Sequence, residues 1–294
     1  GQAIWPSQSV ILTRVTAEEN RPKIFAFNFM LLNLGLGLGG LISSLIIQEG
    51  DLRSFQLMYW VDAATFLLYL AIVISLKGEK VNRYIPKEHE PQNGSYRDLF
   101  EIKPLMLLGI GGIILFTFGY GTIQAGIPVF ATQFLHLSPN WLGVIFGVNT
   151  ISIVVFQPLV MRILEKYSKY TALVSIGIIW AISWLFVGVA PLLPLFSAGI
   201  AICISQLVFA FGEMVQAPTI PTLANEISPE HIRGRANAWM SLQWGVSGVL
   251  GPAITGLMLG ADLDQLWVAL MFFGCFASIP IFLAMKRFSE VKDS

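Results

Sequence analysis

Residues 171–212 carry no charged side chain and read TALVSIGIIWAISWLFVGVAPLLPLFSAGIAICISQLVFAFG. The stretch is twice as long as the roughly 20 residues that an α-helix needs to cross the hydrocarbon core of a bilayer. Pro191 and Pro194 lie near its middle, where they favour a turn. The stretch therefore predicts two membrane-spanning helices joined by a short connection.

The rest of the chain has the same apolar character. Of its 294 residues, 55% are hydrophobic and 12% are charged, and the mean hydropathy is +0.69, whereas a soluble domain is about a quarter charged. Six further stretches with at most one charge can each span a bilayer: 24–47, 58–76, 104–134, 141–160, 236–261 and 265–285. The sequence predicts an all-α membrane protein with eight transmembrane helices rather than the short alternating strands of a barrel.

The positions of the basic residues test the assignment of eight spans, because cytoplasmic loops of membrane proteins are enriched in Lys and Arg. All of the 18 Lys and Arg residues except Arg53 lie on alternate connections between the eight predicted spans. The alternation predicts a multi-pass protein of the cell membrane, with the C-terminus and segment 77–103 in the cytoplasm. The 18 acidic residues balance the basic ones, so no net field would attract nucleic acid.

An internal repeat appears when the chain is shifted by 212 residues, which aligns the first predicted span with the seventh. Identical pairs include Pro6 and Pro218, Glu18 and Glu230, Arg21 and Arg233, Leu38 and Leu250, and Gly39 and Gly251. Thr16 and Ser228 precede the two glutamates and are predicted to be hydroxyl N-caps. The shift crosses six spans, so each half of a duplicated protein would have six helices. On this scheme the chain is truncated at its N-terminus, and about three helices and most of a fourth would precede it.

The spans and the repeat predict three domains. Residues 1–76 would hold the end of helix 4 and helices 5 and 6 of an N-terminal bundle, and residues 104–294 a C-terminal six-helix bundle. Segment 77–103 between them has a soluble composition and is predicted to be a solvated cytoplasmic linker.

Several motifs resemble those of the major facilitator superfamily. Residues 212–218 (GEMVQAP) and 225–235 (NEISPEHIRGR) are similar to the tenth and eleventh helices of bacterial twelve-helix multidrug efflux proteins, and residues 61–66 (VDAATF) to the sixth helix of several exporters. Residues 161–169 (MRILEKYSK) look like a degenerate copy of the loop motif Gly-x-Leu-Ala-Asp-Arg-x-Gly-Arg. The resemblance implies major facilitator-type helical bundles, with eight of twelve helices present, and proton-coupled efflux. It also assigns six residues to cytoplasmic loop motifs: Arg162, Glu165, Lys166, Lys169, Arg233 and Arg235.

Glu213 is the leading candidate for proton coupling. A charge at membrane depth costs about 2.5 to 3.5 kcal/mol on insertion scales, so an acidic residue there is expected to have a function. Gln206 and Gln216 lie on the same face of the predicted helix, and such a stripe would line a cavity. Desolvation would favour the neutral acid until water or a cation reaches it. The alternative is that Glu213 only bonds backbone groups freed by Pro218 and Pro221.

Asp62 is a second proton-coupling candidate, near the outer end of the second predicted span. A structural role at the N-terminus of that helix is an equally good interpretation. In the resembled fold the first, fourth, seventh and tenth helices line the cavity, which adds Tyr120 and Gln124 to Gln206 and Gln216 as substrate-cavity candidates.

Other residues of the spans have packing interpretations. Interhelical hydrogen bonds are predicted for three single polar residues: Asn33, Asn149 and Gln243. Close helix approach is predicted at Gly35, Gly39, Gly40, Gly248, Gly251 and Pro252. Four phenylalanines have two possible interpretations, an aromatic wall for lipophilic substrates or simple packing against lipid: Phe116, Phe118, Phe209 and Phe211.

Enzyme chemistry is not indicated. Residues 35–40 (GLGLGG) match the dinucleotide fingerprint in spelling only, since they lie inside a span with no preceding strand, so no cofactor is predicted. His89, His136 and His231 lie in different loops with no cysteine nearby, so no metal site is predicted. No nucleophile elbow is present.

The sequence thus predicts a secondary transporter, embedded in a lipid bilayer, whose two bundles enclose a cavity for a small-molecule substrate and protons. Export of drugs or amphipathic metabolites in exchange for protons is the leading hypothesis. Two alternatives stay open: a facilitator or symporter that imports a sugar or another small metabolite, and a non-transporting receptor of the same fold.

Overall fold

The computed structural model describes residues 8–9, 11–13, 16–46, 51–75 and 96–290. Within these ranges every regular element is helical, which confirms the predicted fold class. The α-helices there are α1 (Arg21–Ile46), α2 (Leu52–Ser75), α3 (Tyr96–Glu101), α4 (Lys103–Phe118), α5 (Tyr120–Val129), α6 (Asn140–Leu164), α7 (Lys169–Val189), α8 (Leu195–Ile227), α9 (Arg233–Leu259) and α10 (Asp264–Glu290). A π-helical segment, Phe130–Phe134, continues α5.

Eight of the described segments are long and apolar enough to cross a membrane, and each corresponds to one predicted span. They are Glu18–Gly39, Leu52–Ile72, Lys103–Phe134, Asn140–Leu164, Lys169–Leu192, Leu195–Ile227, Glu230–Leu259 and Asp264–Arg287. The uncharged stretch 171–212 divides where its prolines predict. The 3₁₀ segment Ala190–Leu192 ends α7, and Pro194 directly precedes α8.

The described residues form two compact units, one within 1–33 and 93–294 and the other within 34–92. In the first unit α7 packs against α8 and α10, α4 against α9 and α10, and α6 against α8. The largest fully buried side chains in its core are Trp180, Trp184 and Trp267. The second unit holds the remainder of α1 and helix α2, whose described side chains are mostly exposed.

The third membrane segment is bent rather than straight. Gly119, with φ −92° and ψ −82°, separates α4 from α5, and a Cβ at this position would collide with the Trp180 ring. Pro128 lies inside α5, two residues before the π-helical segment, and proline removes a backbone donor and crowds the preceding turn. The bend makes Tyr120 the first residue of α5.

The two helix starts related by the 212-residue shift have the same backbone design. The 3₁₀ segment Glu18–Asn20 leads into α1, and the 3₁₀ segment Glu230–Ile232 leads into α9. Each is closed by a backbone bond at equivalent positions: the N–H of Asn20 donates to Ala17 O at 2.9 Å, and the N–H of Ile232 donates to Pro229 O at 3.1 Å. This local agreement supports the internal repeat.

The hydroxyl N-caps predicted for these starts are wrong. The capping residues of the 3₁₀ segments are Ala17 and Pro229, and neither makes a side-chain cap bond. The hydroxyl of Ser228 instead donates back to Ala224 O in the last turn of α8. Backbone carbonyls, rather than hydroxyl side chains, therefore accept hydrogen bonds from the N–H groups at these helix starts.

The cytoplasmic linker over 77–103 stays a prediction, and the described C-terminal end of that segment is helical. Residues 77–95 lie outside the described residues, and Tyr96–Glu101 forms the short helix α3. Leu99 is fully buried, and the Phe100 ring contacts the Trp239 ring edge to face at 6.1 Å. These apolar contacts attach the end of the segment to the helices, because burial of such side chains is favourable.

Candidate functional site

Three helices of the first unit converge on Glu213. The carboxylate lies in the middle of α8 and only 4% of the residue is exposed. Asn149 of α6 donates its amide N–H to Glu213 Oε2 at 2.6 Å, and Tyr120 of α5 lies near the same carboxylate. An acid inside the protein thus has polar neighbours on two other helices.

The alternative role of Glu213, bonding backbone freed by proline, does not fit this geometry. Pro218 has no N–H, so the carbonyl of Met214 one turn earlier lacks its helical donor. Gln157 of α6 fills that place and donates its amide to Met214 O at 3.1 Å. A second side chain on α6 thus compensates for Pro218, and the amide of Asn149, not a backbone group, donates to Glu213.

Tyr120 also belongs to a cluster of aromatic rings. Its ring meets the Trp244 ring at 4.6 Å and 78°, and Phe116 meets Trp244 at 4.6 Å and 75°. On the α8 side, Trp180 stacks on Phe209 at 4.5 Å and donates its indole N–H to Phe209 O. Edge-to-face and offset contacts of this kind are preferred aromatic geometries, so Tyr120 is held between α4, α7, α8 and α9.

The four phenylalanines of the predicted aromatic wall divide into two pairs. Phe116 and Phe209 are buried in the cluster around Tyr120. Phe118 lies where a Cβ on Gly274 would be placed, and Phe211 contacts Phe156 at 5.7 Å. Two of the four therefore surround the candidate site, and two pack between other helices.

A cavity of about 530 Å³ opens beside Tyr120, within the 300 to 1,000 Å³ typical of small-molecule sites. Its lining comes from Phe116, Tyr120, Gly121, Gln124 and Ala125 on α4 and α5, and from Trp244, Ser247, Gly248 and Pro252 on α9. The predicted candidates Tyr120 and Gln124 are brought together here. The second wall comes from α9, the seventh span, whereas the sequence pointed to the sixth.

The cavity lies where α5 and α9 separate after a close crossing. A Cβ at Gly251 would lie 2.5 Å from the carbonyl carbon of Gly121, so the two backbones touch there. By contrast, a Cβ at Gly35, Gly39 or Gly248 would meet no atom within 4 Å. Gly40 lies in α1, and Pro252 lines the cavity.

The two glutamines of the predicted polar stripe are buried in α8 but do not line the cavity. Gln216 is 6% exposed and Gln206 is fully buried. Both amide atoms of Gln206 lack a hydrogen-bond partner among the described residues. Of the stripe, only Glu213 is connected to the cavity, through Tyr120.

Asp62 belongs to the second unit and lies well inside α2, which begins at Leu52. A structural role at the helix N-terminus is therefore wrong, because the helix-dipole effect falls off within the first turn. Its side chain is exposed, and a proton-coupling role stays a prediction.

The interhelical bonds predicted for polar residues hold in two of three cases. Asn149 reaches Glu213 as described above, and Gln243 of α9 donates to Leu108 O of α4 at 3.2 Å. Asn33 donates to Phe29 O of its own helix at 3.0 Å, so the prediction is wrong there. Within the described ranges no three His, Cys, Asp or Glu side chains form a group that could bind a metal.

Charged residues of the predicted cytoplasmic motifs meet at one end of the first unit. Lys23 at the start of α1 pairs with Glu165 after α6 at 3.0 Å, and Lys169 at the start of α7 pairs with Glu226 at the end of α8. These four helix ends are the ones that the charge alternation assigned to one side of the membrane. Arg162 lies in the last turn of α6, Lys166 follows that helix, and Arg233 and Arg235 lie in the first turn of α9.

One face of α9 could have been recognised from spacing as a cavity wall, but its glycines were interpreted only as sites of close helix approach. Trp244, Ser247, Gly248 and Gly251 follow the i, i+3, i+4, i+7 spacing of one helix face, and that face borders the cavity on α9. Asn149 was identified only as a packing residue, because nothing in its neighbourhood in the sequence indicates that Glu213 is its partner.

These features define a multi-pass helical membrane protein with a ligand-sized cavity and a buried carboxylate between its helices. A family model described as Major Facilitator Superfamily matches residues 1–188 and 110–293. The chain belongs to the major facilitator superfamily.

Similar proteins come from two bacteria. The chain is 23% identical over 262 residues to the uncharacterized MFS-type transporter YttB of Bacillus subtilis, covering 87% of this chain and 62% of YttB. It is 22% identical to the uncharacterized MFS-type transporter YhjO of the same organism, covering 86% of this chain and 60% of YhjO. It is 25% identical to the uncharacterized MFS-type transporter YdeE of Escherichia coli, covering 84% of this chain and 59% of YdeE. The chain therefore spans about three fifths of the length of these relatives.

Proposed function

We propose that this protein is a secondary transporter of the cell membrane that works by alternating access and exports drugs or other amphipathic compounds in exchange for protons. The C-terminus lies in the cytoplasm in this proposal. The observation that carries it is the position of Tyr120, which lines the cavity and also faces the Glu213 carboxylate. Tyr120 is thus next to both Glu213, which could carry the proton, and the cavity, which could hold the substrate.

Glu213 is suited to proton exchange because a bare charge is costly inside a membrane protein. A carboxylate there is expected to hold a proton, or to lose it only while water or a cation is near. Asn149 gives the deprotonated group a hydrogen-bond donor, and charge-assisted bonds of this kind are stronger than neutral ones. The Tyr120 hydroxyl lies near the same carboxylate. The site therefore supports both protonation states.

Coupling follows if the Tyr120 ring responds to what fills the cavity. A compound packed against that ring would hold the Tyr120 hydroxyl toward Glu213, and a donor beside the carboxylate favours its deprotonated form. Binding of substrate and loss of the proton would then favour each other by the same free energy, because such coupling is reciprocal.

The cavity lining favours export of amphipathic compounds over import of a sugar. Its polar side chains are Tyr120, Gln124 and Ser247, and the rest are apolar or small. A sugar presents many hydroxyl groups, and each one left without a partner on binding loses free energy. A non-transporting receptor is distinguished by counterflow, since only a carrier exchanges labelled substrate across vesicles.

The test uses the intact protein in vesicles, with ethidium as the probe and an imposed pH gradient. Glu213→Gln keeps the size of the side chain and removes the proton site, so we expect pH-driven efflux to be lost while ethidium counterflow without a gradient persists. Glu230→Gln changes an exposed acid of the 3₁₀ segment before α9, and this control is expected to keep both activities.

Two results would contradict the proposal. Unchanged pH-driven efflux in Glu213→Gln would remove Glu213 from coupling. Absence of both efflux and counterflow in the parent protein would contradict export of amphipathic compounds.

A further inference from the structure

We infer that Ser9, Asn225 and Asn237 form a latch between the two halves of the duplicated protein, and that its hydrogen bonds break when the cytoplasmic end opens during transport. The inference rests on the proposed alternating access and adds the residues that hold one end together. Ser9 belongs to the helical residues 8–9 and 11–13, which the repeat assigns to the end of helix 4. Asn225 lies in the last turn of α8 and Asn237 in the second turn of α9.

The latch is a continuous set of side-chain contacts. The hydroxyl of Ser9 donates to Asn237 Oδ1 at 2.8 Å, and Asn237 Nδ2 donates to Asn225 Oδ1 at 3.0 Å. Asn225 Nδ2 in turn lies 3.5 Å from Ser9 Oγ. Each of the three side chains therefore reaches the other two, although Ser9 is separated from Asn225 and Asn237 by 216 and 228 residues of sequence.

Both asparagines are buried, and their polar atoms depend on this arrangement. Asn225 is fully buried and Asn237 is 5% exposed. Their amide groups also donate within their own helices, to Pro221 O at 2.7 Å and to Arg233 O at 2.9 Å. Ser9 is the donor to Asn237 Oδ1, and a buried acceptor that loses its donor is unfavourable. A residue of the N-terminal half thus completes the hydrogen bonding of two residues in the C-terminal half.

The latch lies where corresponding turns of the repeat meet. Thr13 and Asn225 are equivalent under the 212-residue shift, and so are Ser9 and Pro221. Thr13 donates its hydroxyl to Ser9 O at 2.7 Å, which is the same side chain-to-backbone bond that Asn225 makes to Pro221 O. The two equivalent turns therefore share one local design, and Ser9 connects them through Asn237.

Neutral polar side chains suit a contact that has to break and re-form. A hydroxyl and two carboxamides exchange protein partners for water when they separate, so each bond contributes only a modest net free energy. An apolar contact in the same place would expose hydrophobic surface on opening, which is unfavourable in water. The latch can therefore hold the cytoplasmic end together without preventing it from opening.

A reversible cross-link tests whether this contact has to break. In the intact protein with Cys203→Ala and Cys275→Ala, the pair Ser9→Cys with Asn237→Cys is joined by a short bis-methanethiosulfonate reagent and released by dithiothreitol. We expect ethidium counterflow in vesicles to be lost on cross-linking and to return on reduction. Ethidium binding in detergent should persist in the cross-linked protein, because the latch does not line the cavity.

The matched control joins two residues within one half. Gln8 donates its amide to Asn28 Oδ1 at 2.9 Å, and both residues belong to the predicted N-terminal bundle. The pair Gln8→Cys with Asn28→Cys, cross-linked in the same background with the same reagent, should keep its ethidium counterflow.

The distance between the two halves is a second readout that needs neither substrate nor pH gradient. Spin labels at Glu18→Cys and Glu230→Cys occupy equivalent, exposed positions just before α1 and α9, and their separation reports on the cytoplasmic end. Asn237→Ala removes the latch, so we expect the ratio of open to closed populations to rise by about tenfold, the factor for one to two lost hydrogen bonds. Asn28→Ala should leave the ratio unchanged.

Three results would overturn the inference: counterflow that survives the cross-link between positions 9 and 237, equal loss of counterflow in the control pair, or an unchanged distance distribution in Asn237→Ala. If Asn237→Ala does not fold, Ser9→Ala decides by the same distance measurement. Absence of ethidium transport in the parent protein contradicts the proposed function, and the distance measurement then still decides on the latch.

Discussion

Gly251→Ala tests whether the crossing of α5 and α9 shapes the cavity. The new Cβ would lie 2.5 Å from the carbonyl carbon and 2.9 Å from the Cα of Gly121. These are backbone atoms and cannot move aside as the end of a flexible side chain does. Overpacking of this kind costs about 1 to 3 kcal/mol, so we expect the free energy of unfolding to fall by about that amount.

The control for this substitution lies on the same helix. Gly256→Ala adds the same methyl group to α9 at a position where the Cβ meets no atom within 4 Å. It removes the conformational freedom of a glycine, which is worth roughly 0.5 to 1 kcal/mol in favour of alanine within a helix. We therefore expect the control to be neutral or slightly stabilising.

Thermal unfolding of the intact protein in detergent measures the difference between the two variants, and ethidium binding measures the cavity. Gly251→Ala should unfold at a lower temperature and bind ethidium more weakly, because the crossing must widen. Equal unfolding temperatures for Gly251→Ala and Gly256→Ala would refute the argument that backbone contact holds α5 and α9 together.

Two further substitutions separate coupling from stability. Asn149→Leu removes the amide that donates to Glu213; we expect pH-driven efflux to fall strongly and its dependence on pH to shift, and an unchanged pH profile would be the contrary result. Gln157→Leu leaves the Met214 carbonyl without its donor, which costs about 1 to 3 kcal/mol for a buried group. We expect a lower unfolding temperature in Gln157→Leu with the pH profile of efflux unchanged, and a shifted profile would show that Gln157 acts in coupling.

Asn149 and Gln157 show why sequence reasoning reached only part of the site. Both are polar residues of α6, and both contact α8. The sequence indicates that such residues need partners inside a membrane protein, but it does not state which carbonyl or carboxylate each one reaches. That choice depends on the rotation of α6 against α8, which is decided by packing along both helices.

The cavity wall shows the same limit. Tyr120 and Gln124 were expected to line a cavity, and they do. Gln206 was expected beside them and is instead fully buried in α8, and α9 supplies the second wall of the cavity. A small shift in helix orientation changes which of two polar faces borders the free space.

The N-cap prediction failed for a local reason. A hydroxyl residue shortly before an acidic helix start is a common capping pattern, and both Thr16 and Ser228 match it. The chain instead enters α1 and α9 through 3₁₀ turns closed by backbone bonds. The local sequence pattern identified where these helices begin. The turn conformation decided which acceptors the first backbone N–H groups bond to.

The sequence by itself determined the number of membrane helices, the two positions of the repeated helix start and the helix that carries the buried acid. These follow from uncharged length, proline placement and charge alternation, which are properties of each segment alone. Only the tertiary structure decided that Asn149 and Tyr120 meet Glu213, that Gln157 compensates for Pro218, and that α9 forms the second cavity wall. The physical reason is that apolar helices present similar surfaces all round, so their rotation and crossing depend on steric fit at a few glycines and aromatic rings rather than on any periodicity along the chain.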